Sequence, residues 1–254
     1  MEPNLENKVA VVTGGSRGIG YSIAEALVRH GARVVIGSRN AADLAQAADA
    51  LNKLAPSRVD AVETDVRDYK QVERLMARAE ERFGGLDILV NNAGIGLFSP
   101  VEEISPEEWD AVIGTNLTGC FYCVRAAAPR MKRRGGGYIF NISSLAGKNA
   151  FAGGAAYNAS KFGLNGFSEA AMLDLRYDGI RVSYIMPGSV ETDFAHPGAH
   201  PGAHPGGKRE PGRRSSWKID PEDVAQAVLD LLRTDPRTMI SRVEMRPSQP
   251  PRKQ

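Results

Sequence analysis

Cysteine is scarce in this chain. Of 254 residues only Cys120 and Cys123 carry a thiol, which excludes a disulfide framework and agrees with a reducing compartment. Nowhere do about eighteen apolar residues follow one another, and the opening MEPNLENK places no apolar stretch behind a positive one, so neither a membrane span nor an export signal is expected. A charge excess is missing too. The 32 basic and 30 acidic side chains leave a net charge of +2, too little to argue for nucleic acid or an anionic membrane as partner. A cytoplasmic protein is the expectation. Histidine numbers four, and three of these stand at equal intervals in AHPGAHPGAHPG, Ala195 to Gly206.

What is present is alternation. Short β-branched runs (KVAVVT, RVVIGS, RVDAVETD, LDILVNN, GYIFNIS, IRVSYIMP, SRVEMRP) are separated by longer amphipathic stretches. Two of those stretches are expected as unbroken helices, Pro106 to Arg133 and Ala155 to Tyr177. Near-continuous apolar strands between helices imply a parallel sheet covered on both faces. The expected fold is therefore α/β and doubly wound, one domain spanning 1–254. Residues 193–218, rich in Gly, Pro and His without an apolar period, are expected as a flexible insertion rather than a linker, and 247–254 as a C-terminal tail.

TGGSRGIG, Thr13 to Gly20, follows the first strand and opens the first helix. That is where a dinucleotide pyrophosphate can meet free backbone amides and the positive end of a helix. Its G-x-x-x-G-x-G spacing, together with NNAG at Asn91 to Gly94 and YNASK at Tyr157 to Lys161, resembles the short-chain dehydrogenase/reductase family over the chain to about Thr192. The resemblance implies a Rossmann-type sheet of seven parallel strands in the order 3-2-1-4-5-6-7, its last two placements resting on the likeness alone. It also implies cofactor contacts. Gly14 to Gly20 would meet the pyrophosphate, Ser16, Arg17, Gly18 and Ile19 among them; Asp65 and Val66 would lie beside the adenine; Asn92, Ala93 and Gly94 would lie below the ribose. PGSVET places Pro187, Gly188, Val190 and Thr192 at the nicotinamide amide, with Asn91 as a structural residue.

The second strand ends IGSRN. Enzymes that select the unphosphorylated ribose usually place an acid there to accept hydrogen bonds from its hydroxyls. Here Ser38 replaces the acid, Arg39 follows, and Arg17 can reach the same region. Two guanidinium groups suit a 2′-phosphate. NADP(H) is the expected cofactor.

Tyr157 and Lys161 stand four residues apart and so share one helix face. With Ser144 in NISS and Asn116 in GTNLTG they match the family's catalytic set of four. Ser143 is the adjacent alternative to Ser144. Hydride transfer to a carbonyl leaves an alkoxide to protonate, and Tyr157 is the expected acid. Moving a tyrosine about 3 pKa units toward neutrality takes roughly 4 kcal/mol, a term that an ammonium about 4 Å away can supply at an effective dielectric near 20. Lys161 is the expected source. The resemblance also gives Lys161 the nicotinamide ribose, Ser144 the substrate oxygen, and Asn116 a water that links Lys161 to solvent.

CFYC has the spacing of a redox or zinc half-site, but its place inside a long helix with no second pair favours packing. The AHPG histidines would align at helical spacing were Pro197, Pro201 and Pro205 not between them. A substrate lid is expected there, and no metal. The expected activity is an NADPH-dependent carbonyl/alcohol oxidoreductase acting on a small molecule, as a homodimer or homotetramer. A 3-oxoacyl carrier-protein reductase and a non-catalytic NADP sensor are the alternatives. The first usually ends in a glycine-rich DGG segment where this chain ends SRVEMRPSQPPRKQ, an ending more like that of relatives acting on 3-hydroxy acids and small carbonyl compounds. The second would be expected to lack Tyr157 or Lys161.

Overall fold

The computed structural model describes residues 4–192, 194 and 217–250. Its strands are β1 (Val9–Thr13), β2 (Arg33–Ser38), β3 (Val59–Glu63), β4 (Ile88–Asn91), β5 (Gly137–Ile142), β6 (Ile180–Pro187) and β7 (Arg242–Met245). They form one parallel seven-stranded sheet in the order β3-β2-β1-β4-β5-β6-β7, as the resemblance implies. The order reverses between β1 and β4, the place where open α/β sheets leave a crevice beyond their carboxyl ends.

Among the described residues seven α-helices flank the sheet: α1 (Gly18–Arg29), α2 (Ala41–Leu54), α3 (Tyr69–Phe83), α4 (Pro106–Ile113), α5 (Gly119–Arg133), α6 (Ala155–Leu175) and α7 (Pro221–Leu232). Two apolar layers result. Successive side chains of a strand point to opposite faces, so Ala10, Val12, Val34 and Ile36 pack toward α1, α2 and α7, while Val9, Val11 and Val35 pack toward α3, α5 and α6. Coverage on both sides explains why these strands read as apolar runs rather than as alternation.

Helix starts are mostly closed by side chains. Asn40 accepts from Asp43 N at the start of α2, Asp68 from Lys70 N at α3, and Ser105 and Glu108 form a reciprocal box at α4. α1, like α5 and α6, lacks such closure. Its N-cap, Arg17, makes no side-chain cap bond, and no acid lies in its first turn, so the first amides of this helix have no side-chain acceptor from their own cap.

The stretch expected as one helix from Pro106 to Arg133 carries a π-turn, Gly114–Thr118, between α4 and α5. Gly119 N bonds Gly114 O, one residue beyond the α-helical partner. Apolar periodicity does not register a single widened turn, which is why the sequence reads straight through it. Likewise α6 ends at Leu175 and its last expected residues, Arg176 and Tyr177, belong to a 3₁₀ turn. Among the described residues no helix is long and apolar enough to cross a membrane.

Candidate active site

The glycine loop is shaped by close approach. Gly14 has φ +64°, and Gly18 φ +55°, where a side chain is strained. A Cβ at Gly20 would fall 2.3 Å from Gly14 O and 2.4 Å from Asn92 Nδ2. The loop is thereby folded onto the end of β4. Asn92 Nδ2 donates to Thr13 O (3.1 Å) and Gly14 O (3.2 Å), and Thr13 Oγ1 accepts from both Asn92 N and Ala93 N at 3.1 Å. These bonds hold the uncapped start of α1 open toward the crevice.

At the outer end of the loop Ser16 Oγ donates to Ser38 Oγ at 3.1 Å. Arg17 and Arg39 flank this pair, both exposed and neither in an ion pair with a described residue. Asp65 is engaged instead by Arg67, with Nη2 to Oδ2 at 2.6 Å, and the guanidinium holds this carboxyl below its ordinary range. Glycines, an uncapped helix start and unpaired guanidinium groups form a donor set that fits a phosphorylated dinucleotide.

The candidate chemical groups meet where β5, the π-turn and α6 converge. Ser144, just beyond β5, accepts from Ala146 N at 3.1 Å and opens a short 3₁₀ turn, Leu145–Gly147. Its neighbour Ser143 donates to Asn165 Oδ1 at 2.6 Å and is tied to α6. Tyr157 is buried, and burial pushes its phenol up to about 12, with Ser144 pulling the other way. Lys161 is buried as well; burial lowers it to about 8, and its Nζ donates to Ile142 O at 2.9 Å. That ammonium lies 5.7 Å from the centre of the Tyr157 ring. The expected depression of Tyr157 is therefore not found in this site. Desolvation of the phenol raises it, and the hydrogen bond with Ser144 is what draws it back.

Asn116, carried by the π-turn, has three bonds. Nδ2 donates to Ile95 O and to Ser160 Oγ, each at 2.9 Å, and Oδ1 accepts from Ile95 N at 2.8 Å. Ser160 Oγ in turn donates to Tyr157 O at 2.8 Å. The amide thus brackets the loop after β4 to the turn of α6 that carries Tyr157.

Beyond β6, Gly188 N donates to Met245 O at 2.8 Å and Val190 bridges Ile219, bringing Pro187, Gly188, Val190 and Thr192 back over the glycine loop. A Cβ on Gly18 would meet the Thr192 methyl at 3.3 Å. One cleft of about 1030 Å³ runs from Arg17 and Arg39 to Ser144, Tyr157 and Lys161. Nearly every residue expected at the site lines it: Gly14, Ser16, Gly18, Ile19, Ser38, Asp65, Val66, Asn92, Ala93 and Gly94 from the first half, and Pro187, Gly188, Val190 and Thr192 from the end of β6 and the segment beyond it. Gly20 and Asn116 do not; they shape it from behind.

Sequence reasoning passed over several contributors. Ser160, inside YNASK, closes the Asn116 bracket. Asn158, in the same motif, donates to Ala146 O at 2.7 Å and steadies the turn after Ser144. Phe98, Phe151 and Phe194 line the cleft beside Tyr157 and offer no spacing signal, because they come from three separate loops. The thiols of CFYC are buried, Cys120 Sγ donating to Asn141 Oδ1 at 3.3 Å. Burial pushes Cys120 up to about 12 and Cys123 well above the ordinary thiol range. Among the described residues no group of three His, Cys, Asp or Glu could hold a metal. The AHPG histidines, and the lid expected around them apart from Phe194, Trp217 and Lys218, lie outside the described residues.

The sequence pattern of the short chain dehydrogenase family matches residues 8–200. The chain belongs to this family. Among its relatives, an uncharacterized oxidoreductase of Staphylococcus saprophyticus is 35% identical over 243 residues, 96% of this chain and 98% of that one. An uncharacterized oxidoreductase of Staphylococcus aureus matches over the same spans at 35%. Among solved structures, a metagenomic short-chain oxidoreductase in complex with NADP superposes with a TM-score of 0.81 at 36% identity, over 98% of this chain and 100% of that one. An alcohol dehydrogenase of the archaeon Thermococcus sibiricus, complexed with 5-hydroxy-NADP, gives a TM-score of 0.84 at 30% identity, over 97% and 99%. The chain is thus an oxidoreductase of the short-chain dehydrogenase/reductase type.

Proposed function

We propose that this protein is an NADPH-dependent carbonyl reductase with Tyr157 as its general acid. The observation that carries the reading is a single cleft holding unpaired Arg17 and Arg39 at one end and buried Tyr157, Ser144 and Lys161 at the other. The NADP and 5-hydroxy-NADP complexes of the two similar structures support the choice of cofactor. When bound, NADPH supplies the hydride.

The start of α1 would hold the pyrophosphate, and Arg17 and Arg39, with the Ser16–Ser38 hydroxyl pair beside them, would take the 2′-phosphate. Ser144 donates to the substrate carbonyl oxygen. Tyr157 would give its phenolic proton to that oxygen, which becomes an alcohol as the phenol becomes a phenolate. A phenol pushed up to about 12 keeps this proton at neutral pH, which suits the reductive direction. The rise from 10 to about 12 makes the phenolate about 3 kcal/mol harder to form. Lys161, 5.7 Å from the centre of the Tyr157 ring, is the cation beside the phenolate that the transfer would leave, and Asn116 acts by holding the Tyr157 turn of α6 against the loop after β4.

Replacing Tyr157 by Phe tests the role. Turnover of NADPH with ketones should nearly vanish while NADPH binding, followed by its fluorescence, stays close to wild type. Substantial remaining kcat would assign the acid to another group. The exposed apolar side chains of the α4–α6 region, Trp109, Phe121, Phe162 and Leu173, support assembly into a dimer or tetramer; a monomer mass by light scattering would oppose it.

A further inference from the structure

Two phenylalanines flank Tyr157 in the cleft, and a third packs on one of them. The Phe98 ring lies edge-on to Tyr157 with centroids 5.6 Å apart, Phe194 is tilted against it at 5.7 Å, and Phe151 stands 5.7 Å from Phe98. Space for them is made by missing side chains. A Cβ at Gly96 would come 2.6 Å from Phe98 Cζ and 3.1 Å from Phe194 Cε1, and one at Gly154 would come 2.6 Å from Phe151 Cε2. None of the three rings is buried, for 40% of Phe98, 46% of Phe151 and 36% of Phe194 stays accessible. All three line the same cleft as Ser144 and Tyr157.

The geometry points to a neutral ketone or aldehyde bearing an aromatic ring as the substrate class, with the ring held among Phe98, Phe151 and Phe194 and the carbonyl at Ser144 and Tyr157. The inference rests on the carbonyl-reductase reading and specifies its substrate. A carbonyl within hydrogen-bond reach of Tyr157 has to place a substituent near rings only 5.6 to 5.7 Å from the Tyr157 ring. A flat ring can meet such walls in the offset and edge-to-face arrangements aromatic pairs prefer, and covers apolar surface that water otherwise wets.

Charge argues the same way. Of the basic side chains lining the cleft, Lys218 lies 3.5 Å from Glu191, Arg246 lies 3.2 Å from Glu244, and Lys161 is bonded to Ile142 O. Arg17 and Arg39 sit at the glycine loop and the end of β2, the cofactor end. Among the described residues, then, Lys161 is the one cation near the rings without a carboxylate partner, and it is buried with its Nζ on Ile142 O; a substrate carboxylate among the three rings would be held by no charged group there, and burying one so is costly.

The test compares kcat/KM at saturating NADPH for acetophenone, butanone, acetoacetate and a 3-oxobutanoyl thioester of N-acetylcysteamine. Acetophenone should exceed each of the others at least tenfold. Phe98→Ala and Phe151→Ala should each lower the acetophenone-to-butanone ratio by about tenfold, with thermal denaturation confirming that the variants fold. In parallel, calorimetry of the NADP⁺ complex should show benzamide binding at least tenfold tighter than acetamide in wild type, with the gap lost in Phe98→Ala. Preference for acetoacetate or the thioester, a ratio unmoved in both variants, or equal binding of the two amides would overturn the inference. Turnover that depends on Tyr157 but favours acetoacetate removes the substrate assignment alone. Turnover that survives Tyr157→Phe removes the catalytic reading, while the binding comparison still judges the ring box.

Discussion

Asn116→Ala separates two roles for one residue. The family resemblance gives Asn116 a water that links Lys161 to solvent, whereas its amide here binds both backbone groups of Ile95 and the hydroxyl of Ser160 at 2.8 to 2.9 Å. Truncation removes three hydrogen bonds worth about 1 kcal/mol each net. Ser160 Oγ is buried and loses its donor, and Ile95 N–H and C=O retain only what water can reach. A loss near 3 kcal/mol follows, equivalent for a chain of this size to a Tm lowered by roughly 6 to 12 °C. Urea denaturation of the nucleotide-free protein measures it directly. Ser160→Ala and the double variant close a cycle, and a coupling of about 1 kcal/mol is expected because Asn116 Nδ2 and Ser160 Oγ share a bond. Activity should fall together with stability, since the bracket holds the turn that carries Tyr157. If Asn116→Ala loses kcat but stays within about 0.5 kcal/mol of wild type, the bracket is not what the residue does and the argument fails.

Arg39→Ala should raise KM for NADPH about tenfold while barely changing KM for NADH, because the charge-assisted contact assigned to this side chain is worth roughly 1.5 to 3 kcal/mol; a wild-type preference for NADH would refute the cofactor reading. Lys161 makes stability depend on pH. Burial lowers it from 10.5 to about 8, so between those values the unfolded chain binds a proton that the native chain does not, and native stability from this group rises with pH. Below pH 8 the full penalty, about 3 kcal/mol, is present. Wild type should therefore gain on Lys161→Met as the pH climbs from 8 to 10.5 in urea denaturation without nucleotide. A gap that stays constant or moves against wild type would contradict the burial argument.

Much of this molecule is written in local order. Continuous apolar strands such as VAVVT and IRVSYIMP could only be strands covered on both faces, because alternation is lost when neither face meets water. The position of the glycine trio between a strand and a helix already implied a phosphate site, since that turn and the free amides of α1 are made by adjacent residues. The YNASK spacing placed Tyr157 and Lys161 on one helix face for the same reason: a helical turn is set by residues close in sequence.

Tertiary structure decided what distant segments do to one another. Burial, not the nearby cation, governs the protonation of Tyr157, and burial depends on Phe98 and Phe194 closing around the ring from other loops. The π-turn that aims Asn116 at Ile95 and Ser160 is one added residue in a helical period, invisible to apolar patterning until its long-range bonds are seen. What sets Ser143 apart from Ser144 is Asn165, more than twenty residues away, which accepts from the hydroxyl of Ser143. Periodicity and motif spacing carry information about neighbours along the chain, whereas solvation, charge and reach in a cleft are properties of residues that meet only when the sheet has formed.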